Sequence, residues 1–419
     1  MKTMEILPGV VLRCYRDTRF KQGCLSLQLI RPVKEQESAM NALLPAVLLG
    51  GSRRCPDLRR ITQHLDMLYG ASVSPIARRV GDYKTVGLYC GFMDDRFALP
   101  GDQVLGPMID FMGELLLDPA LENGSFLSRI LDTEKKNLIA TIESERNDKR
   151  VYASNQMIAH MCKGDSFGLP RLGTTEQVEA ITGQQLYDYY QRVLRECPIQ
   201  ILYVGSAQPE EIAEKLSGLL ASLDRNPMEL PPQTAFDRPG GENITETMDV
   251  SQAKLCMGFT TPITNRDPEF PAMQLCNTVF GSGMTSKLFA NVREKLSLCY
   301  SVGSGYYGTK GIVTVAAGID FDKEEKTREE ILRQLDACRT GEISPQELNA
   351  AKAAVISSLR ATHDSPGAIE GYYATAALSG LTMDPTGYMQ AVEAVTAADV
   401  ARVAKTLQLH TVYFLKGVK

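Results

Sequence analysis

One pentapeptide occurs almost twice. Val178-Glu179-Ala180-Ile181-Thr182 returns as Val392-Glu393-Ala394-Val395-Thr396, 214 positions later in a chain of 419 residues. Ile139 to Arg146 resembles Ala353 to Arg360 at the same spacing. Upstream the spacing is wider. The β-like run Lys84 to Phe92 resembles Ile312 to Asp320 at 228 residues, and Cys24 to Pro32 resembles Ala253 to Thr261 at 229. Four matches in one order, with one main insertion, mark an internal duplication. The extra residues fall between Phe92 and Ile139, where Leu99-Pro100-Gly101-Asp102 reads as an inserted loop. A duplicated chain must bury two similar cores, so this repeat constrains the fold more than any other feature.

Each half opens on a β-like run, continues through helical patterns and a second β-like run, and closes on a short strand. The closing strands are Ile199 to Gly205 and Thr411 to Gly417. Strands separated by long helical stretches predict an α/β chain of the α+β sandwich type. Two homologous domains are expected, each a mixed, mostly antiparallel sheet with helices packed on one face. The run Arg225 to Asn243 is rich in Pro, Gly and polar residues and carries no apolar period. The expected division is a first domain at 1–224, a linker at 225–245 and a second domain at 246–419.

A net charge of −5 and the lack of a basic stripe argue against a nucleic-acid partner. The start has no signal-peptide form, because Pro8-Gly9 breaks its short apolar run, and no stretch is apolar enough for a bilayer span. The ten cysteines are scattered without a CxxC pair, which suits reduced core thiols. A cytoplasmic chain is expected.

The stretch Phe280 to Val302 carries the most chemistry. Gly281-Ser282-Gly283 makes a flexible turn, and Thr285 or Ser286 can cap a helix. Leu288, Phe289, Val292 and Leu296 recur at helical spacing as a buried stripe, with Arg293 off it; Tyr300 starts the next β-like run. A glycine-rich turn, a helix bearing Arg, and a Tyr seven residues on make the chain resemble the M16 (insulinase-like, pitrilysin-type) metallopeptidases over nearly its whole length. Phe167-Gly168, Gly173 and the Ile199 to Gly205 strand extend the likeness into the first half. The resemblance implies that Arg293 and Tyr300 bind the backbone of a peptide. Arg offers a fork of donors to carbonyl oxygens, and Tyr adds a directed hydroxyl.

The same resemblance locates a zinc site and finds it degenerate. The family's H-x-x-E-H motif puts two His one helical turn apart on a metal, with a Glu that activates water. Anchored on Gly51-Ser52, those positions fall on Ala42, Pro45 and Ala46; the distal ligand, seven residues after Glu134, falls on Thr141. None of these side chains binds a metal or takes a proton. The four histidines, His64, His160, His363 and His410, are too far apart in sequence for any pair to share a helical turn. Gly164-Asp165-Ser166-Phe167-Gly168 fits G-x-S-x-G, but helix precedes it and loop follows, so it lacks the strand–turn–helix of a nucleophile elbow. The charged run from Glu143 to Arg150 reads as a solvated helix end whose acidic members could face a partner subunit.

These readings imply a chain with no catalytic residues and no cofactor of its own. It most resembles the zinc-free subunit of bacterial two-chain peptidases of this family. A zinc-bearing partner with H-x-x-E-H would then complete a heterodimer, with a peptide or unfolded protein as substrate. The alternatives are a non-enzymatic scaffold, or a homodimer that binds peptides without cutting them.

Overall fold

A computed structural model describes residues 1–418. Thirteen strands run in chain order: β1 (Lys2–Leu7), β2 (Val10–Arg16), β3 (Gln22–Pro32), β4 (Ser72–Val80), β5 (Tyr83–Met93), β6 (Leu121–Glu122), β7 (Ser125–Phe126), β8 (Ile199–Gly205), β9 (Glu242–Met248), β10 (Ala253–Thr260), β11 (Cys299–Tyr307), β12 (Ile312–Ile319) and β13 (Gln408–Gly417). β6 and β7 form a separate small ribbon. The others make a six-stranded sheet, in the order β1-β2-β8-β3-β5-β4, and a five-stranded sheet, in the order β11-β12-β10-β13-β9.

The two sheets are the same object twice. Read from one edge, β4-β5-β3-β8-β2 corresponds to β11-β12-β10-β13-β9, and β1 is the only addition. The single parallel pair in each sheet matches as well, β2 with β8 and β9 with β13; all other neighbours are antiparallel. The mixed, mostly antiparallel architecture expected from the duplication is therefore present in both copies. Hairpin chemistry sets the edge of the first sheet. Val80 pairs with Tyr83 across the two-residue loop Gly81-Asp82, and Gly81 takes φ +58°, which glycine adopts without a Cβ clash.

The repeated pentapeptide has a physical explanation. Val178 and Val392 are fully buried, and Ile181 and Val395 are buried beside them. Thr182 and Thr396 are then N-caps of the next helices, each closing a capping box with Gln185 or Asp399. A lysine supports both copies: Lys135 donates to the carbonyls of Glu179 and Ile181, and Lys352 donates to that of Glu393. Lys135 and Lys352 are 217 positions apart. The sequence match of Ile139–Arg146 to Ala353–Arg360 is thus displaced by three residues, a slip that two amphipathic helices without sharp landmarks permit.

The packing forms two compact units: Met1–Ile142, Pro170–Pro232 and His363–Leu378 make the first, and Glu143–Leu169, Gln233–Thr362 and Ser379–Lys419 the second. A division at the linker would assign Glu143–Leu169 and His363–Leu378 to the opposite units. β9 begins inside the 225–245 segment.

In the first unit Leu25, Leu27 and Leu29 alternate into the main core, where they join Leu43, Val47, Met108 and Leu115 from the helices Ser38–Leu49 and Leu105–Leu117. Ser26 and Gln28 point to the other face, which is covered by one helix, Pro366–Ser379. Its Glu370 is 1% exposed and accepts bonds from Ser26 Oγ (2.7 Å), Gln28 Nε2 (2.8 Å) and the Arg78 guanidinium (3.1 Å). The second unit repeats the plan. Helix Lys149–Met161 covers the second face of its sheet, with Ala153, Met157 and Met161 packed on Cys256, Tyr413 and Leu415. Most helices do lie on one face, as expected. The other face of each sheet takes a single helix, supplied by the opposite half of the sequence.

All ten cysteines are buried, and none forms a disulfide. Among the described residues no helix is long and apolar enough to cross a membrane.

Candidate functional site

Arg293 and Tyr300 are brought together by two departures from regular geometry. Ser286 starts the segment, its hydroxyl accepting from the Phe289 N–H and donating to the Gly283 carbonyl. From Leu288 to Lys295 the backbone then winds as a π-helix, a wide turn that is rare and concentrated at functional sites. Leu288 and Val292 are buried, as the apolar stripe requires. Leu296, expected as the last member of that stripe, is instead 44% exposed. The wide turn rotates it out of helical phase. Ser297 ends the segment in the left-handed region at φ +48°, and Leu298 N–H closes back on the Val292 carbonyl.

The strand that follows carries a bulge. Cys299 pairs with Ile319 and Ser301 with Gly318, which leaves Tyr300 as the extra residue. A bulge re-aims the side chain it contains. Cys299 is buried, whereas Tyr300 is 61% exposed. Both residues named from the sequence thus border one open cleft of about 490 Å³, together with Glu294, Ser297, Leu298, Cys299, Asp320 and Lys323.

The charges in the cleft are paired with restraint. The Tyr300 hydroxyl donates to Asp320 Oδ1 at 2.8 Å, and Lys323 holds the other Asp320 oxygen at 2.8 Å. The bond to Asp320 raises the Tyr300 hydroxyl above its ordinary value, and Lys323, followed by Tyr300, holds the Asp320 carboxyl below its own. Arg293 stacks over the Phe289 ring at 4.7 Å and reaches its neighbour Glu294 at 3.5 Å. The tyrosine proton points at Asp320, so its lone pairs are left to accept, while the guanidinium can only donate. A donor fork beside a fixed acceptor suits the C=O and N–H of an extended peptide. Asp320 and Lys323 were not singled out from the sequence; they come from the end of β12 and the loop beyond it, which only sheet pairing brings beside Tyr300.

The degenerate zinc positions lie in the first unit. Ala42, Pro45 and Ala46 sit on the helix Ser38–Leu49, Ala42 and Ala46 half-buried and Pro45 buried. Thr141 lies exposed on the helix Ser128–Asn147, its hydroxyl bonded back to the Asn137 carbonyl at 2.9 Å; Glu134 accepts from Asn137. A methyl, a pyrrolidine and a committed hydroxyl supply no metal donor, so these residues do not fit a zinc ion. Among the described residues no group of three or more His, Cys, Asp or Glu side chains is placed to hold a metal. Ser166 lies on a short 3₁₀ turn after a helix, without the strand a nucleophile elbow needs.

Residues 180–355 match the family described as Peptidase M16 inactive domain. A probable inactive metalloprotease of Bacillus subtilis, YmfF, is 28% identical over 98% of this chain and 96% of its own length. An uncharacterized zinc protease of the same organism, YmxG, is 23% identical over 80% of this chain and 83% of its own. A conserved protein from Enterococcus faecalis superposes over the whole chain and 98% of its own, with a TM-score of 0.93 at 26% identity. An M16 inactive-domain structure from Pseudomonas fluorescens shares the fold across the whole chain and 98% of its own length, with a TM-score of 0.81 at 18% identity.

Proposed function

This chain is a homologue of the inactive M16-type peptidases, and we propose that it serves as the non-catalytic, peptide-positioning subunit of a two-chain zinc peptidase. A partner of the same type, bearing H-x-x-E-H, would supply the zinc and the activated water. This chain would supply Arg293 and Tyr300 to hold the backbone of an unfolded substrate. The carrying observation is an asymmetry between its two copies. The second keeps an exposed donor–acceptor pair in an open cleft, set by a π-turn and a bulge. The first has Ala42, Pro45, Ala46 and Thr141 where the metal ligands would stand. Holding a substrate in register can contribute several kcal/mol to a barrier, so a subunit without chemistry of its own can still govern the rate.

The test is reconstitution. The chain is co-expressed with a zinc-bearing M16-type chain, and cleavage of an unstructured peptide is followed with each subunit alone and with both. The proposal expects a stable complex, with activity that requires both chains. A complex that cleaves equally well without this chain overturns it. Assembly without any peptide binding would point instead to a scaffold.

A further inference from the structure

Lys84 is a buried ammonium with no carboxylate partner. It lies on β5, is 4% exposed, and donates to two backbone carbonyls, Arg171 O at 2.6 Å and Ser38 O at 3.4 Å. The charged groups that act on it, Arg79 from β4 and Arg171 from the loop above, are both cations. Arg78, also on β4, is committed to Glu370. Burying a charge costs several kcal/mol unless it is compensated, and two carbonyls leave one ammonium proton unused.

The unused proton has company. Lys84 lines a cavity of about 10 Å³, room for one water-sized occupant, with Asn41, Ala42, Thr85 and Arg78. Asn41 is 1% exposed. The Asn41 amide oxygen is taken by the Tyr189 hydroxyl at 2.6 Å, which leaves Nδ2 as a buried donor without a partner. The third Lys84 proton and Asn41 Nδ2 therefore face one small space, and no protein acceptor answers either of them. Ala42 forms part of its wall, so the cavity sits at the first of the degenerate zinc positions.

We infer that this cavity is a binding site for a single monatomic anion, a halide, held by Lys84 Nζ and Asn41 Nδ2. In place of residues that would bind a cation, this part of the fold has assembled donors that bind an anion. The occupant would pin the helix Ser38–Leu49, the β4–β5 hairpin and the 171–172 loop to one another through the ammonium. The inference is independent of any peptide-binding role, because every residue involved lies in the first unit.

The experiment uses the full chain. Crystals soaked in bromide are expected to show an anomalous peak beside Lys84 and Asn41. At pH 6, below the range in which the folded chain gives up the Lys84 proton, and at fixed ionic strength, replacing gluconate, too large for the cavity, by chloride should raise the Tm of the wild type by a few degrees. Lys84→Met should lose that response. A cavity holding water alone, with equal Tm in both salts, overturns the site. Should Lys84→Met fail to fold, Asn41→Asp supplies the same test, since its carboxylate would occupy the anion's place. That variant is expected to be insensitive to halide, and a wild-type response from it would overturn the inference.

Discussion

At the scale of single residues, the roles of Arg293 and Tyr300 separate by what each can donate. Arg293→Ala is expected to lower kcat/KM of the reconstituted pair about 100-fold, as misplacing a substrate does, with assembly unchanged by size-exclusion chromatography. Arg293→Lys should recover little, since a point charge replaces the planar fork. Tyr300→Phe should act in the same direction. Asp320→Asn should cost less, because the hydroxyl stays but loses its anchor. Full activity in both Arg293→Ala and Tyr300→Phe would remove the site from the mechanism. Lys84 gives a pH prediction. Burial, then Arg79 and Arg171, lowers its amine from the ordinary 10.5 to about 7. Between those values the unfolded chain holds a proton that the folded chain does not, so the wild type gains stability relative to Lys84→Met as pH rises through that window. Urea denaturation of both proteins at pH 7 and pH 10 measures the difference. Arg293 and Tyr300 were legible in the sequence because the glycine-rich turn, the Arg-bearing helix and the Tyr seven residues on resemble the family's pattern. The bulge that turns Tyr300 outward was not, nor was the cation beside Ala42. Both depend on partners far away in the chain.

At the scale of elements, the strands and the duplicated caps were readable and the helix that covers each second sheet face was not. A strand announces its faces by alternation, as Leu25, Leu27 and Leu29 do against Ser26 and Gln28. Nothing in that pattern says which helix will lie on the polar face. Glu370 answers the question in the first unit, as the acceptor that Ser26, Gln28 and Arg78 converge on. Glu370→Leu would leave those donors unanswered and is expected to cost about 3–5 kcal/mol in urea unfolding. In the second unit the contact is steric. A Cβ on Gly258 would meet Met161 Sδ at 2.5 Å and Met157 Sδ at 2.8 Å, so β10 needs glycine where the helix Lys149–Met161 crosses it. Gly258→Val should destabilise by about 1–3 kcal/mol, the usual range for an overpacked contact. If instead it is neutral, the helix is not held against that strand.

At the scale of the whole molecule, the duplication and the packing divide the chain differently, and the difference can be tested. The repeat divides the chain at the Pro-rich segment. The contacts give each unit one stretch from the other half, Glu143–Leu169 to the second and His363–Leu378 to the first. A fragment of residues 1–224 therefore lacks the helix that carries Glu370, and exposes Ser26, Gln28 and Gln200 on an uncovered sheet face. A fragment of residues 225–419 lacks the helix whose Ala153, Met157 and Met161 fill a core beside Cys256 and Tyr413. Each retains its main sheet and most of its helices, so neither fragment should be a random coil. Each should be loosely packed, with native-like far-UV circular dichroism, a broadened thermal transition and binding of a hydrophobic dye. Mixing them should restore a sharp transition, because each brings the helix the other lacks. Two fragments that unfold cooperatively alone, unchanged by mixing, would show that the exchanged helices are ornaments on two self-sufficient domains. If instead they recover only together, the duplication joined two copies that now complete each other.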